Sequence, residues 1–134
     1  MASEQAASHY ARDDIEPSIL DALAASGRDV DALKPEDLAA VDEFHLGGLP
    51  MTAGLGRALG LDPGMALVDI GSGIGGPARY FAQAHGCRVI GLDLTADYVR
   101  VAEALTRRCG LAERVSYRQG SALAMPFADG SFDV

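Results

Sequence analysis

A short apolar run from Met65 to Ile70 passes directly into Gly71-Ser72-Gly73-Ile74-Gly75-Gly76, and that junction constrains the chain most. The run is too short for a buried helix and has the length of a buried strand. Glycines at its carboxyl end let the backbone turn sharply and let a ligand approach the main chain. Pro77 then stands at a first-turn position of a helix predicted to run to His85, with Gly86 as its stop.

The same rhythm repeats downstream. Arg88 to Leu92 reads as a second strand. Thr95 is placed to cap a helix on which Tyr98, Ala102, Leu105 and Cys109 share one face, ended by Gly110. Val115 to Gln119 is a third, more polar strand. Ala128 to Ser131 is a turn, and Phe132-Asp133-Val134 opens a fourth strand. Strands joined by helical crossovers imply an α/β fold, a Rossmann-like parallel sheet with helices on both faces, here incomplete. Residues 1–60 read instead as a helical N-terminal segment. Ile15, Ile19, Leu20 and Leu23 follow helical spacing to Gly27. Pro35-Glu36-Asp37 starts a helix leading into Leu38, Val41 and Phe44. Gly47, Gly48 and Pro50 break the chain before a helix from Met51 to Leu59.

Composition excludes several functions. The 11 basic and 19 acidic side chains give a formal charge of −8, which repels phosphate backbones, so no nucleic-acid partner is expected. No apolar run approaches the roughly 20 residues that cross a bilayer. Met1 to Ser8 lacks a secretory signal, so the expected location is cytoplasmic. Cys87 and Cys109 have no metal-ligand spacing and read as buried free thiols. His9, His45 and His85 form no zinc pattern, and no metal is expected.

Gly71, Gly73 and Gly76 satisfy the G-x-G-x-x-G dinucleotide pattern, a weak match by itself. Asp93 ends the second strand about 20 residues beyond Gly73, where a carboxylate accepts from ribose hydroxyls. That device suits an adenosine ribose in general. Asp69 discriminates. Two residues before Gly71, its carboxylate would oppose a pyrophosphate but attract a sulfonium or an ammonium, or else hold the loop by hydrogen bonds.

Asp69-Ile70-Gly71-Ser72-Gly73-Ile74-Gly75 resembles the first motif of class I S-adenosylmethionine-dependent methyltransferases, and Gly91-Leu92-Asp93-Leu94 their acidic second-strand motif. Gln119-Gly120-Ser121-Ala122 and the stretch Met125 to Asp133 resemble the third-strand loop and the opening of the fourth strand. The likeness covers about residues 45–134. Phe44 to Gly48, Gly75 to Tyr80 and Asp93-Leu94-Thr95 resemble the small-molecule branch, which includes ubiquinone/menaquinone-biosynthesis and sarcosine/dimethylglycine enzymes.

The resemblance implies that S-adenosylmethionine is the cofactor and S-adenosylhomocysteine the product. It divides the chain into a lid segment, 1–60, and a cofactor-binding half, 61–134, truncated at the fourth strand. Asp69 would lie near the methionine amino group, with Gly71, Ser72, Gly73 and Gly75 forming the loop beneath it. Asp93 would bind the ribose, Leu94 would pack on the adenine, and Ser121 and Ala122 would face the adenine edge. Ser121 departs from the usual Asp, and an uncharged acceptor there is weaker by roughly a factor of two.

The expected reaction is attack of an N, O or C nucleophile of a small-molecule acceptor on the sulfonium methyl. No catalytic residue is assigned. His45 reads as a helix-end residue in preference to one lining the methyl-transfer pocket, Tyr10 as a surface or packing residue of the lid, and Arg79 and Tyr80 as solvent-facing or packing. Asp13-Asp14 and Asp129 read as solvated or turn carboxylates. Two alternatives stay open: a dinucleotide-binding domain of an NAD(P)-dependent oxidoreductase, and a non-catalytic fragment. With the first strand at an exposed apolar edge, the half-sheet is expected to be marginally stable or to self-associate there.

Overall fold

The computed structural model describes residues 15–43 and 46–134. His9, Tyr10, Asp13, Asp14, Phe44 and His45, on which sequence expectations fell, lie outside the described residues. Three helices come first: α1 (Ile15–Ala25), α2 (Pro35–Asp42) and α3 (Gly48–Ala58). The alternating part follows as β1 (Ala66–Ile70), α4 (Gly76–His85), β2 (Arg88–Asp93), α5 (Ala96–Arg108) and β3 (Val115–Gln119), with a short 3-10 turn at Ala122–Ala124.

Local chemistry accounts for most boundaries. Helix α2 starts where the Asp37 carboxylate accepts from the Lys34 amide at 2.9 Å, with Pro35 in a first turn that needs no N–H donor. Helix α3 starts at Gly48, three residues earlier than the sequence suggested. Pro50 falls in its first turn, where its missing N–H costs nothing. Thr95 occupies the N-cap of α5, but its side chain makes no capping bond. The Asp93 carboxylate accepts from the Thr95 amide instead, at 2.9 Å.

The strands form one parallel sheet in the order β1-β2-β3, with Asp69 opposite Gly91 and Asp93 opposite Gln119. Both crossovers run the same way along the sheet, and a right-handed crossover then puts both helices on one face. Ala78, Phe81 and Ala82 of α4 and Ala102 of α5 accordingly pack with Leu67, Val89, Val115 and Tyr117 in one core. Helices therefore cover one face among the described residues. Part of the other carries the segment after β3, where Phe127 and Phe132 meet edge-to-face at 5.0 Å and Arg118 lies over Phe127.

A second core ties the N-terminal helices to this body. Ile19 and Leu23 of α1, Leu38 of α2 and Leu33 pack with Ile74 of the glycine loop and with Val101 and Leu105 of α5. Arg108 adds hydrogen bonds to the Val30 carbonyl at 2.9 Å and to Asp31 at 3.0 Å.

The outer edge of β1 is not bare. The Val68 amide donates to the Val134 carbonyl at 3.0 Å, and the Asp133 amide donates to Ala66 at 2.7 Å. The Asp133 carboxylate also accepts from the Ala66 amide. Residues 133–134 thus lie beside β1 as the fourth strand was expected to. The exposed apolar edge on which self-association was predicated is occupied at Ala66 and Val68. Ile70, further along, is about half exposed.

Leu38 is fully buried at the junction of the helical segment and the sheet body. Leu38→Ala is expected to cost about 2–5 kcal/mol through lost burial and the cavity left behind. Urea denaturation should show one transition at lower denaturant. An unchanged midpoint would mean that the N-terminal helices do not share the body's cooperative unit.

Candidate cofactor site

The carboxyl ends of β1, β2 and β3 lie side by side, and the loop after β1 rises from the middle of that edge. Residues 133–134 flank β1 on one side and β2 on the other, so the chain reverses direction across the sheet at β1. In open α/β sheets ligands bind at such a switch point, outside the carboxyl ends of the strands. A groove of about 500 Å³ lies elsewhere. Ala66, Arg88 and Arg114, from the start of β1, the start of β2 and the approach to β3, line it.

Gly71, Gly73 and Gly75 have φ of 74°, 55° and 91°, a region that side-chain-bearing residues avoid. They divide by what surrounds them. A β-carbon at Gly71 or Gly73 would point into open space, so the loop is accessible there. At Gly75 it would overlap the Tyr117 hydroxyl and lie 2.8 Å from Arg79, and at Gly76 it would meet the Asp42 carbonyl at 2.6 Å. Gly71 and Gly73 therefore face outward, and Gly75 and Gly76 let the loop close on the protein.

The loop amides are already used. Gly71 and Ser72 donate to the Leu92 carbonyl at 2.8 and 3.1 Å, Gly73 donates to the Asp93 carboxylate at 2.8 Å, and Gly75 donates to Ser72 at 2.9 Å. A pyrophosphate-binding loop needs free amides aimed at the ligand. Here four of them are spent on shaping the loop. Acceptors are what the strand ends add, at Asp69 and Asp93.

Asp93 accepts one amide on each carboxylate oxygen, from Gly73 and from Thr95. Each oxygen keeps a second lone pair, so a ribose hydroxyl can still be accepted. This double role, fixing the loop and starting α5, was not visible in the sequence pattern. Asp69 is half-buried and alternates with Leu67 on the helix-covered face. It lies near enough to Tyr117 for its charge to oppose ionisation of that phenol.

The remaining predicted residues divide in the same way. The Ser72 side chain turns inward beside Gly91, where a β-carbon would meet its Oγ at 2.7 Å. That Oγ is buried without a hydrogen-bond partner among the described residues. Leu94 is 66% exposed just beyond Asp93, and its carbonyl accepts from Gln119 at 3.2 Å. The Ser121 Oγ accepts from the Leu123 amide at 3.1 Å, capping the short turn that contains exposed Ala122.

Sequence reasoning missed the partners of Arg79. Expected to be solvent-facing or packing, it is 0% exposed and forms an ion pair with the carboxylate of Asp42 at 2.7 Å. Its other terminal nitrogen reaches Thr106 Oγ1 at 3.2 Å, and Thr106 shares a hydrogen bond of 2.8 Å with the Tyr117 hydroxyl. The available signal was spacing: Arg79 lies four residues after Gly75 and three before Ala82, on the face that α4 buries.

A parallel sheet with a glycine-rich first turn and an acidic second-strand end defines a Rossmann-like fold of the kind that takes adenosine-containing cofactors. The chain belongs to the methyltransferase domain family, whose model matches residues 67–134. It is similar to a sterol 24-C-methyltransferase of Gibberella zeae, 38% identical over 59% of this chain and 21% of that one. A methyltransferase of Streptomyces halstedii is 34% identical over 72% of this chain and 35% of its own. Among solved structures, geranyl diphosphate C-methyltransferase of Streptomyces coelicolor A3(2), in complex with Mg2+, geranyl diphosphate and S-adenosyl-L-homocysteine, superposes with a TM-score of 0.59 and 28% identity. That match covers 62% of this chain and 32% of that one. The chain thus spans about a fifth to a third of the length of these relatives.

The two kinds of glycine should respond differently to substitution. Gly75→Ala combines positive-φ strain with overlap on Tyr117 and Arg79 and is expected to cost about 3 kcal/mol or more. Gly71→Ala carries the backbone strain alone, about 1–2 kcal/mol. Thermal melts of the two variants test the ranking, and equal losses would contradict the inward closure at Gly75.

Proposed function

We propose that this chain forms the cofactor-binding part of an S-adenosylmethionine-dependent methyltransferase that acts on a small-molecule acceptor. One observation carries the reading. Four amides of the glycine loop are spent inside the protein, while carboxylates stand at the ends of β1 and β2 and open space lies over Gly71 and Gly73. That arrangement favours a cationic amino-acid moiety and disfavours a pyrophosphate. It is the main argument against the NAD(P) alternative.

The residues present fit the cofactor. Gly71 and Gly73 would let its methionine portion lie on the main chain, and Asp69 would supply negative potential near the amino group. Asp93 would accept from the ribose hydroxyls, and Leu94 would offer its exposed side chain to the adenine. Ser121, whose Oγ is engaged by Leu123, would retain one lone pair for the adenine edge. When bound, S-adenosylmethionine supplies an activated methyl group whose leaving group is a neutral thioether. What this chain contributes is position and matched charge, which supply much of the catalysis because the leaving thioether needs no protonation.

A small and largely apolar acceptor is supported by the sterol and geranyl diphosphate specificities of two of the similar proteins. Exposed Leu46 and Met51 agree with it. They flank the start of α3, beside the Asp42–Glu43 corner that contacts the glycine loop. Among the described residues no helix is long and apolar enough to cross a membrane. Free Cys87 and Cys109, both with thiols held protonated by burial, support a reducing, cytoplasmic setting.

Calorimetric titration with S-adenosylhomocysteine, with NADH in parallel, tests the reading. The first should bind and the second should not. Asp93→Ala should weaken S-adenosylhomocysteine at least tenfold, about 1.4 kcal/mol or more, because it removes the ribose acceptor and frees the Gly73 amide. Binding of NADH alone would overturn the proposal.

A further inference from the structure

We infer that Asp42 and Arg79 are positioning residues for the cofactor loop: their buried ion pair holds the Gly75-Gly76 backbone against the sheet and so sets cofactor affinity from the N-terminal helical segment. This rests on the S-adenosylmethionine reading and adds to it a residue pair outside the motifs.

The geometry brings every part of the pair against the loop. Asp42 ends α2, and its carbonyl and Oδ1 lie where a β-carbon of Gly76 would be, at 2.6 and 2.7 Å. Arg79 Nη1 stands at 2.8 Å from the corresponding position on Gly75, beside the Tyr117 hydroxyl. Gly75 is also the first link of the helix that carries Arg79, because the Arg79 amide donates to the Gly75 carbonyl at 3.0 Å. The guanidinium is anchored on the far side by Thr106 at 3.2 Å and the Ala102 carbonyl at 3.4 Å, both on α5. The loop is thus gripped between α2 and a polar chain that ends on β3.

Arg79 depends on this partner. Its side chain is wholly buried and its Nε has no hydrogen-bond partner among the described residues, so the Asp42 carboxylate is the charge that compensates it. Loss of that negative charge leaves a buried cation whose most direct relief is to move, and Gly75 is in contact with it.

The charged and titratable groups around Asp42 are Arg79 from α4, neighbouring Glu43, and Cys109, beyond the end of α5, while Tyr117 from β3 faces Arg79. Burial, only partly offset by Arg79, lifts Asp42 from 3.8 to about 6. A carboxyl raised in the folded state favours folding below its unfolded value and loses that contribution as the pH rises through about 6. Acidification to about pH 5 therefore does not unfold the chain on account of Asp42. It does remove the ion pair.

The test is calorimetric titration of wild type and Asp42→Asn with S-adenosylhomocysteine at about pH 7.5 and about pH 5, with thermal melts alongside. Asn keeps the volume and one acceptor, so the variant should fold. Expected is a roughly tenfold weaker complex for D42N at the higher pH. Wild type should lose a similar factor on acidification, and D42N should lose none. Amide hydrogen exchange at residues 73–76 should speed up in D42N without ligand, which a merely global destabilisation would not confine to the loop. Arg79→Lys, which keeps the charge, should fall between wild type and Arg79→Met. Wild-type binding with D42N within twofold and parallel pH profiles would overturn the inference alone. Failure of wild type to bind at either pH would overturn it together with the reading beneath it.

Discussion

A single buried cation organises the junction on which this fold turns. The Arg79 guanidinium is removed from water entirely, and an uncompensated charge there would cost several kcal/mol. Its compensation comes from three elements far apart in sequence: Asp42 at the end of α2, Thr106 and Ala102 on α5, and through Thr106 the Tyr117 hydroxyl on β3. Burial lifts the Tyr117 phenol above its usual range, so it stays protonated and able to donate. The N-terminal helices, the crossover helices and the sheet therefore meet at one charge. Gly75 and Gly76 pass through the remaining space, and for that reason they carry no side chain.

The loop itself shows how a ligand preference follows from internal bookkeeping of hydrogen bonds. Its backbone must climb off β1 and enter α4 within a few residues, and positive φ at three glycines makes the path possible. Holding that path requires partners, and the Leu92 carbonyl and the Asp93 carboxylate provide them. The amides spent in this way are those that a phosphate would have needed. Asp93 thereby links loop shape and the start of α5 on one carboxylate, and in the proposed function it adds the acceptor offered to a ribose.

Most of the fold was legible along the chain because its elements announce themselves locally. Apolar runs of strand length, glycines at helix ends and the Pro35 and Pro77 starts located the elements within a few residues. The misjudged features have a common origin. Thr95 has the residue type of a cap, yet Asp93 competes for the same amide with a charged oxygen and wins. Gly75 belongs to the same motif as Gly71 and Gly73 but packs inward, because Tyr117 and Arg79 arrive there from elsewhere in the chain. Arg79 was read only as solvent-facing or packing, because the partners that define its role, Asp42 and Thr106, come from other elements.

Residue order alone determined the parallel α/β architecture, the glycine turn after β1 and the acidic ends of β1 and β2. Periodicity and backbone stereochemistry are short-range properties, and each is complete within one element. Tertiary structure decided which glycines face open space, which amides are already spent, and that residues 133–134 would pair with β1. It also decided that a helix outside the motifs would hold the loop through Asp42. Those outcomes depend on contacts between residues separated by tens of positions, and on burial, which sets the cost of a charge only after the chain has closed around it.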